Sequence, residues 1–366
     1  MVLANTVMSA EIPSPTMDEG DLVRHLCDRF NESGLLNISS DEAGNAIGLL
    51  PGKRGKDGKN ILVAAHVDKV WERGIDHTMT VTAEHITGPG IADNSLGVGA
   101  VVSLPLILEK LGIELEHNVI LLGASRSMGR GDLGGLRFFL ENTQSPVASA
   151  ICVEGIEIGR LSYSSLGMNR CEVRVRVDDD LPSTGWGSSG AVPVLSRVID
   201  SLLAIPLPQR PKTEIIMGSI LAGTTYNVPP AKATLRFEVR SETPGEVARV
   251  REAIDELVAV VNAEEAVTAE LRILARRRPG GINFSHPLVK SVRETHAALG
   301  IETYVTPSIS ELSVLLDADI PSVTLGITHG TNKHATDERV EIEPIFTGLA
   351  QIIAVLLHLD ESLSDE

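Results

Sequence analysis

Cysteine is scarce in this chain. Only Cys27, Cys152 and Cys171 occur, in neither a metal nor a redox spacing. That pattern suggests reduced, buried thiols and a cytoplasmic home. Basic charge is in the minority, with 32 Lys and Arg against 49 Asp and Glu, for a net charge of −17. Such a balance argues against nucleic acid or an anionic membrane as a partner. Long apolar runs are missing as well. The best candidate, residues 100–108, is interrupted by Pro105 and stops at Glu109-Lys110, so no membrane span is expected. The first residues, Met1-Val2-Leu3-Ala4-Asn5, lack a basic region followed by an apolar core, so no signal peptide is expected either.

What is present is the composition of a globular protein, 43% hydrophobic. At 366 residues the chain exceeds one ordinary core, so two domains are the default. Apolar runs at 61–65, 119–122, 150–153 and 322–325 read as buried parallel strands. Helical periodicity lies between and after them, at 22–30, 96–111, 133–140, 288–299 and 345–357. Strands alternating with helices predict an α/β domain whose ligands sit at the carboxyl ends of a mostly parallel sheet.

The middle of the chain has another texture. Residues 171–177 alternate strictly, with Val173, Val175 and Val177 against Arg174 and Arg176, which predicts a strand with one wet face. A helix at 192–205, strands at 214–220 and 233–239, a helix at 244–261 and a strand at 271–275 complete the order β-α-β-β-α-β. That order is a ferredoxin-like α+β unit inserted into the larger domain. The expected partition is 1–165 with 277–366, and 166–276 for the insert. Arg276-Arg277-Arg278 before Pro279-Gly280-Gly281 reads as a solvated hinge at the return crossing.

The chemistry starts where the first strand ends. His66 and Asp68, two residues apart, point to one face of a strand, so the carboxylate can orient the imidazole for a metal. Gly88-Pro89-Gly90-Ile91-Ala92-Asp93-Asn94 is a glycine-rich turn leading into a helix, and Asp93 is either a helix cap or a carboxylate near the strand ends. Glu154 lies just past the third strand, and His334 falls in a polar loop after the last. Two histidines and two carboxylates at strand ends form a nitrogen/oxygen set suited to zinc.

These motifs resemble those of the cocatalytic zinc exopeptidases and aminoacylases, the group that includes acetylornithine deacetylase, succinyl-diaminopimelate desuccinylase, peptidase T and glutamate carboxypeptidase. The resemblance spans nearly the whole chain, and the insert corresponds to that family's lid and dimerisation domain. It implies that His66, Asp93 and Glu154 hold one zinc, that Asp93 and His334 hold a second, and that Asp68 orients His66. His334 with Glu338 matches the family's final His-to-Glu motif. Asn227, in Thr224-Thr225-Tyr226-Asn227, and Arg240, in Phe237-Glu238-Val239-Arg240, match lid segments that meet substrate and its carboxylate. The implied partners are a small peptide or N-acyl amino acid and a second copy of the chain.

Two departures stand out. The family carries consecutive glutamates after the second strand, a general base and a ligand of the second zinc. Here the chain reads Ala124-Ser125-Arg126-Ser127-Met128-Gly129. Matching from the strand puts Arg126 and Ser127 at the pair, and matching back from Gly134-Gly135 puts Met128 and Gly129 there. Neither supplies a carboxylate. The nearest acid, Asp132, reads as the cap of the following helix. An arginine cannot accept the proton of an attacking water, although its charge could stand in the place of the second ion. The family's lid histidine is missing too. Thr184 stands at its nearest match, and no histidine occurs between His117 and His286.

Other positions carry weaker signals. His77 and His85 lie in a segment of surface-hairpin character, and His329 could supplement the site. Ser308, Ser310 and Glu311 match a substrate-side loop, with Glu311 where an aspartate is usual, and Ser310 could equally be a helix cap. The expectation is thus a zinc-dependent peptidase or aminoacylase-like protein without its usual base. The alternative is a non-hydrolytic or repurposed homologue that binds a metal and a small carboxylate ligand.

Overall fold

A computed structural model describes residues 1–178, 190–264 and 266–364. They form two compact units, Met1–Ser164 with Gly281–Glu366, and Ser165–Gly280.

The first unit is built on a six-stranded sheet in the order Leu36–Ser40, Ala46–Leu50, Asn118–Ala124, Asn60–His66, Val147–Ile156, Ser322–Thr328. The last four run parallel, and the first two form an antiparallel hairpin on the edge. The parallel strands are the four apolar runs of the sequence, each longer by one to three residues at one or both ends. They need to be apolar on both sides because helices cover both. Ile61, Val63 and Ala65 pack with Leu96–Leu111 and the last helix, Glu343–Ser364. Leu62 and Ala64 pack with Leu136 and Phe139 of Gly134–Asn142 and with Leu312 and Leu315 of Glu311–Asp317.

From Asn60–His66 the chain passes through Leu96–Leu111 to the strand on one side. It then returns through Gly134–Asn142 to the strand on the other side. This reversal of direction leaves a crevice at the carboxyl end of Asn60–His66, the usual ligand position in a doubly wound sheet.

Several elements differ from the sequence expectation. Val2–Glu11 is a helix, and Leu36–Ser40 with Ala46–Leu50 is a hairpin; neither carried a strong enough periodicity to be read. Pro105 does not break its segment but sits inside Leu96–Leu111. Ile91–Leu111 and Glu343–Ser364 are both long and apolar enough, by length and composition, to cross a membrane, contrary to expectation. Within the fold, 89% of the first window is buried, which fits a central helix of the core.

The second unit is a four-stranded antiparallel sheet, ordered Thr213–Ala222, Lys232–Ser241, Gly167–Val177, Val267–Arg277. Helices Ala191–Leu203 and Pro244–Asn262 pack on one face through Val194, Val198, Val250 and Ile254, giving the order β-α-β-β-α-β. The alternation at 171–177 follows from this one-sided packing, since Val173 and Val175 are buried under the helices. The basic tripeptide is not a hinge. Arg276 and Arg277 pair with Asn169 and Met168 at the end of the edge strand, and Arg277 is buried.

Candidate metal centre

Strand parity and register place the first two residues. The face that carries Leu62 and Ala64 also carries His66, and the face that carries Ala150 and Cys152 also carries Glu154. The strands pair in parallel with Ala64 opposite Cys152, so two residues further on His66 stands level with Glu154. The third residue comes from the turn before the central helix. Gly90 adopts φ +76, and a Cβ there would lie 2.7 Å from the Lys69 side chain, so only glycine turns the chain at this point. Asp93 follows in non-helical geometry (φ −133, ψ 86), which projects its carboxylate rather than using it as a cap. Asn94 secures the turn by donating to the carbonyl of Val153 at 2.8 Å.

His66 Nε2 is 3.1 Å from Asp93 Oδ1, and ligand atoms of His66, Asp93 and Glu154 all lie within 4.8 Å of one another. All three side chains are buried. Asp68 sits behind His66, with its carbonyl oxygen 3.1 Å and Oδ1 3.4 Å from Nδ1. Its Oδ2 accepts from Thr16 Oγ1 at 2.8 Å and from the Met128 backbone N–H at 2.7 Å, which fixes the carboxylate in place. A proton on Nδ1 directed at Asp68 leaves Nε2 for a metal.

His334 approaches from the loop after the last strand, with Nε2 2.7 Å from Asp93 Oδ2, although half of its side chain is exposed. Glu338 clamps this loop to the Asp93 turn: its Oε1 accepts from His334 N–H at 2.8 Å and its Oε2 from Ala92 N–H at 3.0 Å. The residues expected from the sequence to gather here, His66, Asp68, Asp93, Glu154 and His334, lie together around Asp93.

The electrostatics follow from burying several charges in one place. Burial opposes a charged imidazole, but hydrogen bonds with Asp68 and Asp93 prevail and raise the His66 pKa well above its ordinary value. Burial likewise opposes the Asp93 carboxylate, yet contacts with His334 and His66 hold it well below the usual range. Glu154 is pushed up, chiefly by burial, with the charges of Lys333 and His66 opposing.

The turn after the second strand is where expectation needs correcting. Arg126 does not face the centre. Its backbone is left-handed (φ +53), its N–H donates to Glu19 Oε1 at 2.9 Å, and its guanidinium is directed to the Glu42 carbonyl. Ser127 is buried with a hydroxyl that has no hydrogen-bond partner. Asp132 is not the cap residue of the next helix, whose cap position is Leu133. The cation beside Asp93 is Lys333, with Nζ 3.3 Å from Oδ2. Lys333 was visible in the sequence only as the neighbour of His334.

Glu311 is the other residue whose importance the sequence understated. It is buried, its Oε1 lacks a hydrogen-bond partner, and its charge acts on His66 and Cys152, which puts it on their side of the sheet. Ser310 stands at the cap position of that helix but does not cap it; its hydroxyl pairs with Ser308 at 2.8 Å. His77 is buried and bonded to the Glu72 carbonyl rather than lying on a surface hairpin, His85 pairs with Arg339, and His329 is exposed.

In the second unit, Arg240 donates two hydrogen bonds to Glu238 Oε2, at 2.9 and 2.6 Å, and Asn227 is exposed with φ +59. Thr184, matched to the lid histidine, falls outside the described residues.

Comparison with known proteins supports the family resemblance. The model for peptidase family M20/M25/M40 matches residues 62–358. Carboxypeptidase G2 of Pseudomonas sp. (strain RS-16) is 25% identical over 292 residues, covering 75% of this chain and 69% of that protein. A tripeptidase of Staphylococcus aureus has a similar fold, with a TM-score of 0.78 at 18% identity over 98% of both chains. So does the YXEP protein of Bacillus subtilis, described as a dinuclear metal binding peptidase, with a TM-score of 0.67 at 15% identity over 98% of both chains.

Proposed function

Since the chain belongs to peptidase family M20/M25/M40, we propose that it hydrolyses an amide bond of a small peptide or N-acyl amino acid with one zinc ion held by His66, Asp93 and Glu154. The observation that carries this reading is the convergence of those three buried side chains within 4.8 Å. One nitrogen and two oxygen donors suit zinc, and three protein ligands leave a position open, as catalytic sites require. A zinc ion there would supply Lewis-acid chemistry, polarising an amide carbonyl and acidifying water.

The chain's own residues divide the remaining work. Asp68 fixes the ring of His66, and Glu338 holds the Asp93 turn and the His334 loop in register. Glu311 is the proton acceptor in place of the absent glutamate pair. Its support is its burial, its partnerless oxygen and its electrostatic reach to His66. Asn227 and Arg240 would recognise the substrate, and Arg240 would have to share its pairing with Glu238 to meet a carboxylate. A homodimer through the second unit is part of the same reading. Ile220 and Leu221 are exposed on its edge strand Thr213–Ala222, a natural surface for strand pairing. Free Cys27, Cys152 and Cys171 suit a reducing, cytoplasmic setting.

The test is turnover of a panel of N-acyl amino acids and dipeptides. Hydrolysis should disappear on chelation, return with zinc, and be absent from His66→Ala. Hydrolysis that survives either treatment would refute the reading. A folded, zinc-binding protein without turnover on the panel would favour the non-hydrolytic alternative.

A further inference from the structure

We infer that the Lys333 ammonium takes the place of a second metal ion, so that this centre binds one divalent ion per chain. The inference rests on the metal site proposed above and concerns the outer side of Asp93. A second ion there would need ligands at about 2.0–2.2 Å from several directions. Among the described residues, the side chains brought to this side are Asp93 Oδ2 and His334 Nε2, which lie 2.7 Å apart. The turn after the second strand, where the family resemblance implies a carboxylate ligand, carries Arg126 and Ser127 or Met128 and Gly129 at the matching positions, and the Ser127 hydroxyl is the one side-chain oxygen among them. A hydroxyl is a weak ligand for zinc and brings no charge.

The positive charge that the outer oxygen calls for comes instead from the protein. Lys333 Nζ lies 3.3 Å from Asp93 Oδ2, on the same oxygen that His334 touches. Its charge reaches Glu154 as well as Asp93, so one ammonium offsets both carboxylates of the centre. A divalent ion at the same spot would have to displace this ammonium and then lie beside it, with like charges repelling at close range. The ligand set and the charge therefore point the same way, to a centre in which the second cation is a lysine. A solved structure of this fold, the YXEP protein of Bacillus subtilis, is described as binding two metals.

The consequence is measurable without any assay of turnover. The ammonium stabilises Asp93 and Glu154 as anions but repels an ion entering between them. Removing it should therefore tighten binding of the first ion. With two-fifths of its side chain exposed, Lys333 can be replaced without opening the core.

The experiment is calorimetric titration of the full chain, stripped with chelator, with zinc against a competing chelator. The wild type should bind one zinc per chain. Lys333→Ala should bind its first zinc about tenfold more tightly, and Lys333→Arg, which keeps the charge, should match the wild type within about twofold. Two ions in the wild type would overturn the inference while leaving the proposed metal site standing, as would unchanged or weaker binding in Lys333→Ala. No zinc in the wild type would overturn both, because the site on which the inference rests would itself be lost.

Discussion

At the residue scale, the centre depends on side chains whose positions are fixed from behind. Asp68 receives two hydrogen bonds on one oxygen and faces His66 with the other. Glu338 receives two backbone N–H bonds and so joins segments almost 250 residues apart in sequence. Glu311 Oε1, like Asp68 Oδ1, is buried and makes no hydrogen bond. A buried acceptor without a partner costs about 1–3 kcal/mol. Glu311→Gln keeps the shape and removes the proton acceptor. It should lower kcat by about 10²–10⁴-fold with zinc stoichiometry unchanged, measured by steady-state kinetics and metal analysis. A kcat within twofold of the wild type would remove Glu311 from the reaction.

Residue identity made most of this centre legible in the sequence. His66, Asp68, Asp93, Glu154 and His334 lie at strand ends or in motif-bearing turns, where an apolar run stopping at a polar residue signals a ligand position. Lys333 gave no such signal, and Glu311 gave one only through the family resemblance, as part of a substrate-side loop. Their roles come from packing between segments far apart in the chain: a lysine in a polar loop and a glutamate at the start of a short helix look solvated until the fold is known. Arg126 misled for a related reason. Its place in the chain was right for a group entering the centre, but a left-handed backbone turn sends the side chain to Glu42 instead.

At the scale of elements, the first helix is held to the rest of its unit by a buried lysine. Lys69 Nζ donates to the carbonyls of Ser9, Ala10 and Ile12 at 2.9, 2.7 and 2.8 Å, at and just beyond the end of Val2–Glu11. These carbonyls lack helical partners and carry the negative end of the helix dipole. Burial, opposed by the charge of Glu338, moves the Lys69 pKa from 10.5 down to about 7. Between those values the unfolded chain binds a proton that the folded chain does not. Stability should therefore rise as pH increases from about 7 toward 10, by at most about 1.4 kcal/mol per unit from this group. Below about 7 both states are protonated and the dependence vanishes. Urea unfolding at several pH values should show a steeper rise for the wild type than for Lys69→Met. Equal slopes would contradict the shift.

The last helix meets the sheet through Gly348, where a Cβ would lie 2.0 Å from the Ile327 carbonyl oxygen. Gly348→Ala should force the helix off the strand and cost about 1–3 kcal/mol, read as a lower midpoint in urea. An unchanged midpoint would mean that this contact has slack. The sequence announced the helix and the strand but not this contact, because how closely two elements approach is decided only when they pack. The missed elements make the same point. Val2–Glu11 has a weak amphipathic pattern with buried Asn5, Thr6 and Ser9, so its burial was not written in apolar spacing.

At the scale of the whole molecule, the α/β unit and the inserted antiparallel unit were legible because the two kinds of sheet use different patterns. Continuous apolar runs mark strands covered on both faces, and strict alternation marks strands covered on one. The fold therefore followed from periodicity, and the family resemblance from the motifs at the strand ends. What the chain does with the centre depends on fewer atoms. A metal-dependent hydrolase with one ion requires that ion to sit between His66, Asp93 and Glu154, with Lys333 beside Asp93 rather than a second metal. An anomalous-difference map from a crystal grown with zinc tests this directly. One peak within bonding distance of His66 Nε2, Asp93 and Glu154 is the expected result. Two peaks flanking Asp93, or none at these residues, would contradict it.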